Sequence, residues 1–356
     1  MAYKIDISDG ARRGLLQDIQ IAQEKNISVR DNLPPVGATV PEENIAALAT
    51  LIVNLQKIGL IAKGEPYIGT EQFQDYLDRI AGIEGTERDR MRLSTKTFSR
   101  GTLVELGIGE IDETLYCRWP YAILTQSYQT PVLDYNDRTY MSITCSEMAS
   151  QKPLIAQLHG NVLIAGLGLG WALYEAAKQP AVERITVLEF NRDLIAAFKQ
   201  TLLPLLGIEK PVEIVYGDLL AQEIKFLNHF DSRFLDTWYS FADGCYFYYE
   251  LVKKKINLKK TAFWIEQSIL WNFKMALQRI LCVNDREKYL ESKREALYGM
   301  DSFSDFEKKV LLETEEKFYG DTLKYCKKHG VSIHSLQQAR NLCTNDRAII
   351  DIIKGK

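Results

Sequence analysis

The segment Gly166-Leu167-Gly168-Leu169-Gly170 follows the apolar run Val162 to Ala165 and leads directly into helical spacing from Trp171. Glycines at a strand-to-helix turn let backbone approach a ligand where a Cβ would clash, which is how a nucleotide or nucleoside is cradled. Glu189 sits near the end of the next apolar run, where a ribose would lie, and two ribose hydroxyls would satisfy a buried carboxylate there. Asp218, just beyond Val212 to Tyr216, is placed to accept a hydrogen bond from an adenine amino group, and Asp236 ends a fourth run as a candidate base. Each has an ordinary structural reading when taken alone: a plain turn, a solvated strand-end acid, a helix N-cap. Together they offer glycine, acid, acid, acid to one crevice.

The type of ligand narrows by exclusion. In the dinucleotide fingerprint a third small residue allows close packing of helix on strand, and here Trp171 holds that place. No Lys-Ser/Thr pair follows the glycines, so a Walker phosphate loop is also a poor fit. A nucleoside other than NAD or ATP is the expected ligand.

Such residues must be positioned by a sheet. Strands at Val162 to Ala165, Ile185 to Phe190, Val212 to Tyr216, Arg233 to Leu235 and Ala262 to Ile265 alternate with helices at Trp171 to Lys178 and Arg192 to Leu203. Apolar runs separated by helices predict a parallel sheet in a Rossmann-like, doubly wound α/β fold. Before it, a polar start gives way to an amphipathic helix over Glu42 to Ala62 and a second over Thr70 to Ile80. Glu84 to Lys96 reads as an exposed charged connector. A small antiparallel module is expected from Gly101 to Thr144, then a helix from Ser146 to Leu158. Everything after Gln267 reads as helical. The expected units are a helical N-terminal region (1–98), a β module (99–157), the nucleoside-binding core (158–275) and a C-terminal helical appendage (276–356).

The chain has 356 residues, 46% hydrophobic and 26% charged, which excludes disordered, collagenous and coiled-coil classes. Lys plus Arg total 44 against 47 Asp plus Glu, a net charge of −3, so no global basic field favours nucleic acid. The N-terminus lacks the pattern of a signal peptide, and the longest uncharged apolar stretch, Val162 to Tyr174, falls short of the roughly 20 residues that span a bilayer. A cytoplasmic protein without a membrane partner is expected. Six cysteines lie far apart without a Cys-x-x-Cys pair, so reduced thiols are the expectation.

On these residues the sequence resembles the class I S-adenosylmethionine-dependent methyltransferases, and within them the spermidine-synthase-like branch. The resemblance covers Pro131 to Gln267. It rests on Val162 to Gly170 as the glycine-rich first motif, Val187 to Asn191 as the acidic second strand, Tyr216-Gly217-Asp218 as the adenine motif and Phe230 to Trp238 as the fourth motif. It implies S-adenosylmethionine, or its decarboxylated form, held by Gly166, Gly168, Gly170, Glu189, Asp218 and Leu219. Asp236 would lie near the methionine amine or the acceptor. Leu133-Asp134 and Ser146-Glu147-Met148 resemble the corresponding part of aminopropyltransferases. Those enzymes carry Asp-Ser/Thr-x-Asp-Pro at the fourth motif, where this chain has Asp236-Thr237-Trp238-Tyr239-Ser240, without the second acid or the proline.

Three functions follow: methyl transfer to a small or macromolecular acceptor, aminopropyl transfer, or a catalytically silent nucleoside-binding scaffold. For the first, Asp236 and Tyr239 are the candidate catalytic residues and no metal is required. Asp134, Glu147 and Asp243 are the acids that an aminopropyl channel would use. The dense aromatic stretch Trp238 to Tyr249 suits a cation or a base, and equally the packing of a helix on the sheet. Lys253, Lys254, Lys255, Lys259 and Lys260 read as a solvated face. Cys326, His329, His334 and Cys343 are zinc-type ligands without a finger's spacing, so ordinary packing is expected. The helical ends would fix acceptor choice or a homo-oligomer.

Overall fold

The computed structural model describes residues 3–83, 87–88, 91–107, 109–135, 138–298 and 303–356. The polar start is in fact a long helix, α1 (Asp9–Asn32), capped by the Ser8 side chain, which accepts from the Ala11 amide. Its buried apolar positions are few: Ala11, Leu15, Ala22 and Val29 form one narrow seam. Tertiary packing holds such a helix more than propensity does. Arg340 makes two hydrogen bonds to the buried Asp18 carboxylate, pinning α1 to the C-terminal region.

The second correction concerns the charged run. Glu84 to Thr86 and Asp89 to Arg90 lie outside the described residues, but β1 (Met91–Phe98) is a strand, paired antiparallel along its whole length with β2 (Tyr128–Tyr135). Met91 and Leu93 are buried while Arg92 is exposed, so the period is two and the charges mark one face of a strand. A two-residue strand, Glu87–Arg88, pairs with the start of β1, so the antiparallel sheet already includes residues on the helical side of the expected boundary near 98.

Helix α2 (Cys145–Ile155) opens with a capping box, Thr144 and Glu147 each bonding the other's backbone amide. The core sheet follows: β3 (Gly160–Ala165), helix α3 (Trp171–Lys178), β4 (Val182–Glu189), helix α4 (Arg192–Thr201), β5 (Val212–Tyr216), β6 (Ser232–Leu235), helix α5 (Phe241–Lys253) and β7 (Thr261–Phe263). The five strands are all parallel, in the spatial order β5-β4-β3-β6-β7. This is a Rossmann-like α/β fold. Helix α4 stops before Leu203 because Pro204 cannot continue it, and a short turn, Leu203–Leu206, takes over. The last strand ends at Phe263, and Ile265, with φ 57°, starts helix α6 (Glu266–Val283) instead of extending the sheet.

Alternation along β3 divides the core. Val162 and Ile164 join α3 and the β module on one face, while Leu163 and Ala165 join α1, α5 and the C-terminal helices on the other. The latter include α7 (Asp305–His329) and α8 (Leu336–Cys343). All six cysteines are buried free thiols. Cys326 and Cys343 pack into the apolar cluster beneath this second face, whereas His329 bonds the Lys356 carbonyl and His334 the Ser332 hydroxyl. No group of three or more metal-binding side chains occurs among the described residues. None of their helices is long and apolar enough to cross a membrane.

Candidate active site

In this strand order the chain reverses direction between β3 and β6, and open α/β sheets bind ligands outside the carboxyl ends at that point. A cavity of about 670 Å³ lies there, within the range of small-molecule sites. Gly166, Gly168, Gly170, Glu189, Asp218, Leu219, Asp236 and Tyr239 all line it. Of the three further acids, Glu147 and Asp243 line it as well. Asp134 does not: it faces Arg92 across the β1–β2 pair, 3.2 Å away, and also accepts from Ser94.

Two of the glycines are there for different reasons. Gly166 has φ +94°, and a Cβ on it would stand 1.7 Å from the Asp236 carbonyl oxygen, so the adjacent ends of β3 and β6 meet only if this residue is glycine. Gly170, with φ +86°, begins α3, and its Cβ would strike Phe198 at 2.7 Å. A nucleoside could approach the backbone here without meeting a side chain.

Glu189 is buried and already has partners. One oxygen accepts from the Leu167 amide at 3.0 Å and the other from the Asn191 amide at 2.8 Å. The acid expected to wait for a ribose thus also ties the glycine turn to the end of β4. The Phe190 amide also bonds this carboxylate, which leaves part of its acceptor capacity for a ligand hydroxyl. Burial raises its pKa, partly offset by these amides. Asp218 is exposed and accepts from the Leu220 amide at 2.8 Å within a turn; the helix that it would cap from Leu219 does not form, the next one being Ile224–Leu227 behind Glu223.

On the far wall, α2 presents Glu147 and Gln151 one helical turn apart. Gln151, buried, donates from Nε2 to Asp236 Oδ2 at 2.9 Å. Sequence reading passed over Gln151, although its i+4 spacing from Glu147 in a capped helix would have placed both on one face. Glu147 and Asp236 both titrate far above ordinary carboxylates. For Glu147 the pKa is about 8, from burial first and then the Asp236 charge; for Asp236 it is about 7, from burial, opposed by Gln151. Two close carboxylates in one cavity do not both ionise readily.

The same two acids make stability depend on pH. An acid whose folded pKa is raised supports folding at low pH, and that support is lost as pH rises from the ordinary carboxylate range through the raised value. The ligand-free protein should therefore lose stability between about pH 4 and pH 8, each tenfold weakening of an acid on folding being worth about 1.4 kcal/mol. Glu147→Gln should flatten that decline, as read from thermal melts at both pH values. Parallel melts for both proteins would show that the pair is not coupled.

The aromatic stretch divides by helical phase. Asp243, Tyr246 and Phe247 of α5 line the cavity with Trp238 and Tyr239 before them, while Tyr248 and Tyr249 are buried in the core, bonded to Glu266 and Asp321. Lys253 pairs with Asp321, and Lys254 donates to the Leu220 carbonyl, so two of the five lysines are engaged internally. Phe306 and Val310 of α7 complete the wall, a contribution from the C-terminal region that nothing in the sequence signalled.

No protein-family model matches this chain, and no curated protein matches it. Among solved structures it is similar to the crystal structure of spermidine synthase from Thermotoga maritima, with 21% sequence identity and a TM-score of 0.27. The match covers 36% of this chain and 47% of that one, so the chain spans about half the length of that enzyme.

Proposed function

We propose that this chain is a transferase that binds S-adenosylmethionine and moves its methyl group to an acceptor. The observation that carries this reading is the convergence of Gly166, Glu189, Asp218 and Asp236, from four strand ends, on one cavity. The residues suit the nucleoside: a turn that a Cβ would fill, a carboxylate with acceptor capacity to spare at the ribose position and an exposed carboxylate at the adenine position.

When bound, S-adenosylmethionine supplies a methyl group already activated by its sulfonium. The chain's own residues then need to hold the acceptor in line, exclude water and take a proton. Asp236 is the group for that proton, its carboxylate oriented by Gln151. Tyr239 stands at the same rim. Trp238 and Tyr246 line the cavity beside it.

Calorimetric titration with S-adenosylmethionine, decarboxylated S-adenosylmethionine, S-adenosylhomocysteine and NAD tests the proposal. S-adenosylmethionine should bind most tightly, and Glu189→Ala should weaken it roughly ten- to hundredfold, the loss of one or two charge-assisted hydrogen bonds. Preference for the decarboxylated form would shift the function to aminopropyl transfer. Binding without turnover against any acceptor would leave the scaffold, and no binding would overturn the nucleoside reading.

A further inference from the structure

The glycine turn is braced from outside the α/β core. The helix Gln74–Ile80 of the N-terminal region lies against it, with Phe73 and Tyr76 both buried. Their rings meet Trp171, which lines the cavity, edge-on at centroid distances of 5.6 Å and 5.1 Å. The Tyr76 hydroxyl donates to the Leu169 carbonyl at 3.0 Å in the buried interior. The same segment also reaches α2, where Lys152 donates to the Gln72 carbonyl at 3.4 Å.

We infer that Tyr76 is a positioning residue for the nucleoside turn, and that the segment around it in the N-terminal region thereby belongs to the binding machinery. Leu169 stands between Gly168, with φ +52°, and Gly170, with φ +86°. Glycine populates both signs of φ, so sterics alone hold the peptide joining Leu169 to Gly170 only loosely. Its two polar groups supply the restraint. The Gly170 N–H donates to the Leu167 carbonyl at 3.1 Å, and the Leu169 carbonyl accepts from Tyr76. Together the two bonds fix the peptide plane at both ends. Without the phenol the carbonyl loses a donor where water does not reach, and the plane turns in search of another. Leu169 and Gly170 line the cavity, so turning that plane changes the surface a nucleoside meets.

A neighbouring tyrosine supplies the contrast. Tyr174, also buried, donates its hydroxyl proton to Asp75 on the same helix, and its ring lies 5.6 Å from that of Tyr76. This side-chain bond joins the same two helices without touching the glycine turn, and Tyr174 is not among the residues that line the cavity. The inference rests on the nucleoside reading for its ligand, while the restraint on the turn is read from the bonds themselves.

The test compares Tyr76→Phe and Tyr174→Phe with the parent, each variant losing one oxygen and keeping its ring, with folding checked by thermal melt. Amide hydrogen exchange across Gly166 to Trp171 reads the turn, and calorimetric titration with S-adenosylmethionine reads the site. Tyr76→Phe should speed exchange of the Gly170 amide and weaken S-adenosylmethionine, each by about tenfold, the worth of one hydrogen bond, whereas Tyr174→Phe should leave both within about twofold. No change in Tyr76→Phe, or equal changes in the two variants, would make the Tyr76 hydroxyl a merely structural contact and overturn the inference. Faster exchange without lost affinity, or lost affinity without faster exchange, would overturn it as well. If the parent does not bind S-adenosylmethionine, the nucleoside reading falls and exchange alone decides: selective acceleration at Gly170 in Tyr76→Phe sustains the restraint on the turn, and its absence removes it.

Discussion

Gly166→Ala should destabilise the protein by on the order of 3–5 kcal/mol and abolish binding of S-adenosylmethionine. The added Cβ meets the Asp236 carbonyl oxygen at 1.7 Å and its carbon at 2.8 Å, and the φ of +94° is one that side chains rarely adopt. Neither neighbour is a flexible side-chain tip. Relief requires β3 and β6 to part at their carboxyl ends, which moves Asp236 away from Gln151 and opens the cavity at its narrowest seam. Gly320→Ala is the control. It lies in α7 with nothing within 4 Å of the new methyl, and should be neutral or stabilising by about 1 kcal/mol. Chemical denaturation of the two variants beside the parent settles the first half of the prediction, and calorimetry the second. Undiminished ligand affinity in Gly166→Ala would show that the seam is not part of the binding site.

Asp236→Asn is the second large effect, a fall of roughly 10²- to 10⁴-fold in transfer rate once an acceptor is in hand, with nucleoside affinity changed little. The amide keeps the shape and still accepts from Gln151, but it can no longer take a proton. The pH dependence gives a sharper reading. Asp236 works as a base only when ionised, so the parent's rate should rise with pH through an apparent pKa of about 7. The Gln151 amide favours the ionised form, so Gln151→Leu should move that midpoint upward. A merely structural Gln151 would lower the rate at every pH and leave the midpoint in place. A rate independent of pH in the parent would assign the proton to another group.

Much of the site was legible from residue order, because backbone demands are local. A parallel sheet buries both faces of its inner strands, so β3 and β4 announce themselves as apolar runs, and the residues that close each run must stand at the carboxyl edge. That placed Gly166, Glu189, Asp218 and Asp236 on one edge of the sheet without any coordinates. The same locality explains the misreadings. In β1, a strand with one polar face, Arg92 and Lys96 mask the alternation that buries Met91 and Leu93. In α1, the four buried apolar residues are mixed with exposed ones such as Leu16, Ile21 and Ile27, which blurs the seam.

What the sequence by itself determined was the α/β core and the set of strand-end residues that line one side of the cavity. Those follow from side-chain period and from glycine's freedom at φ +94°, which act between near neighbours in the chain. The tertiary structure alone decided the other half. Gln151 meets Asp236 across 85 residues, Glu147 lines the same cavity from the preceding turn of α2, and Phe306 and Val310 arrive from a helix beyond the sheet. It also showed that Glu189 is bonded to Leu167 and Asn191, and that Asp134 is drawn to Arg92 and away from the cavity. These are contacts between separate packed faces. A face's polarity can be read along the chain, but its partner is chosen only when the whole chain minimises exposed apolar surface and unpaired charge together.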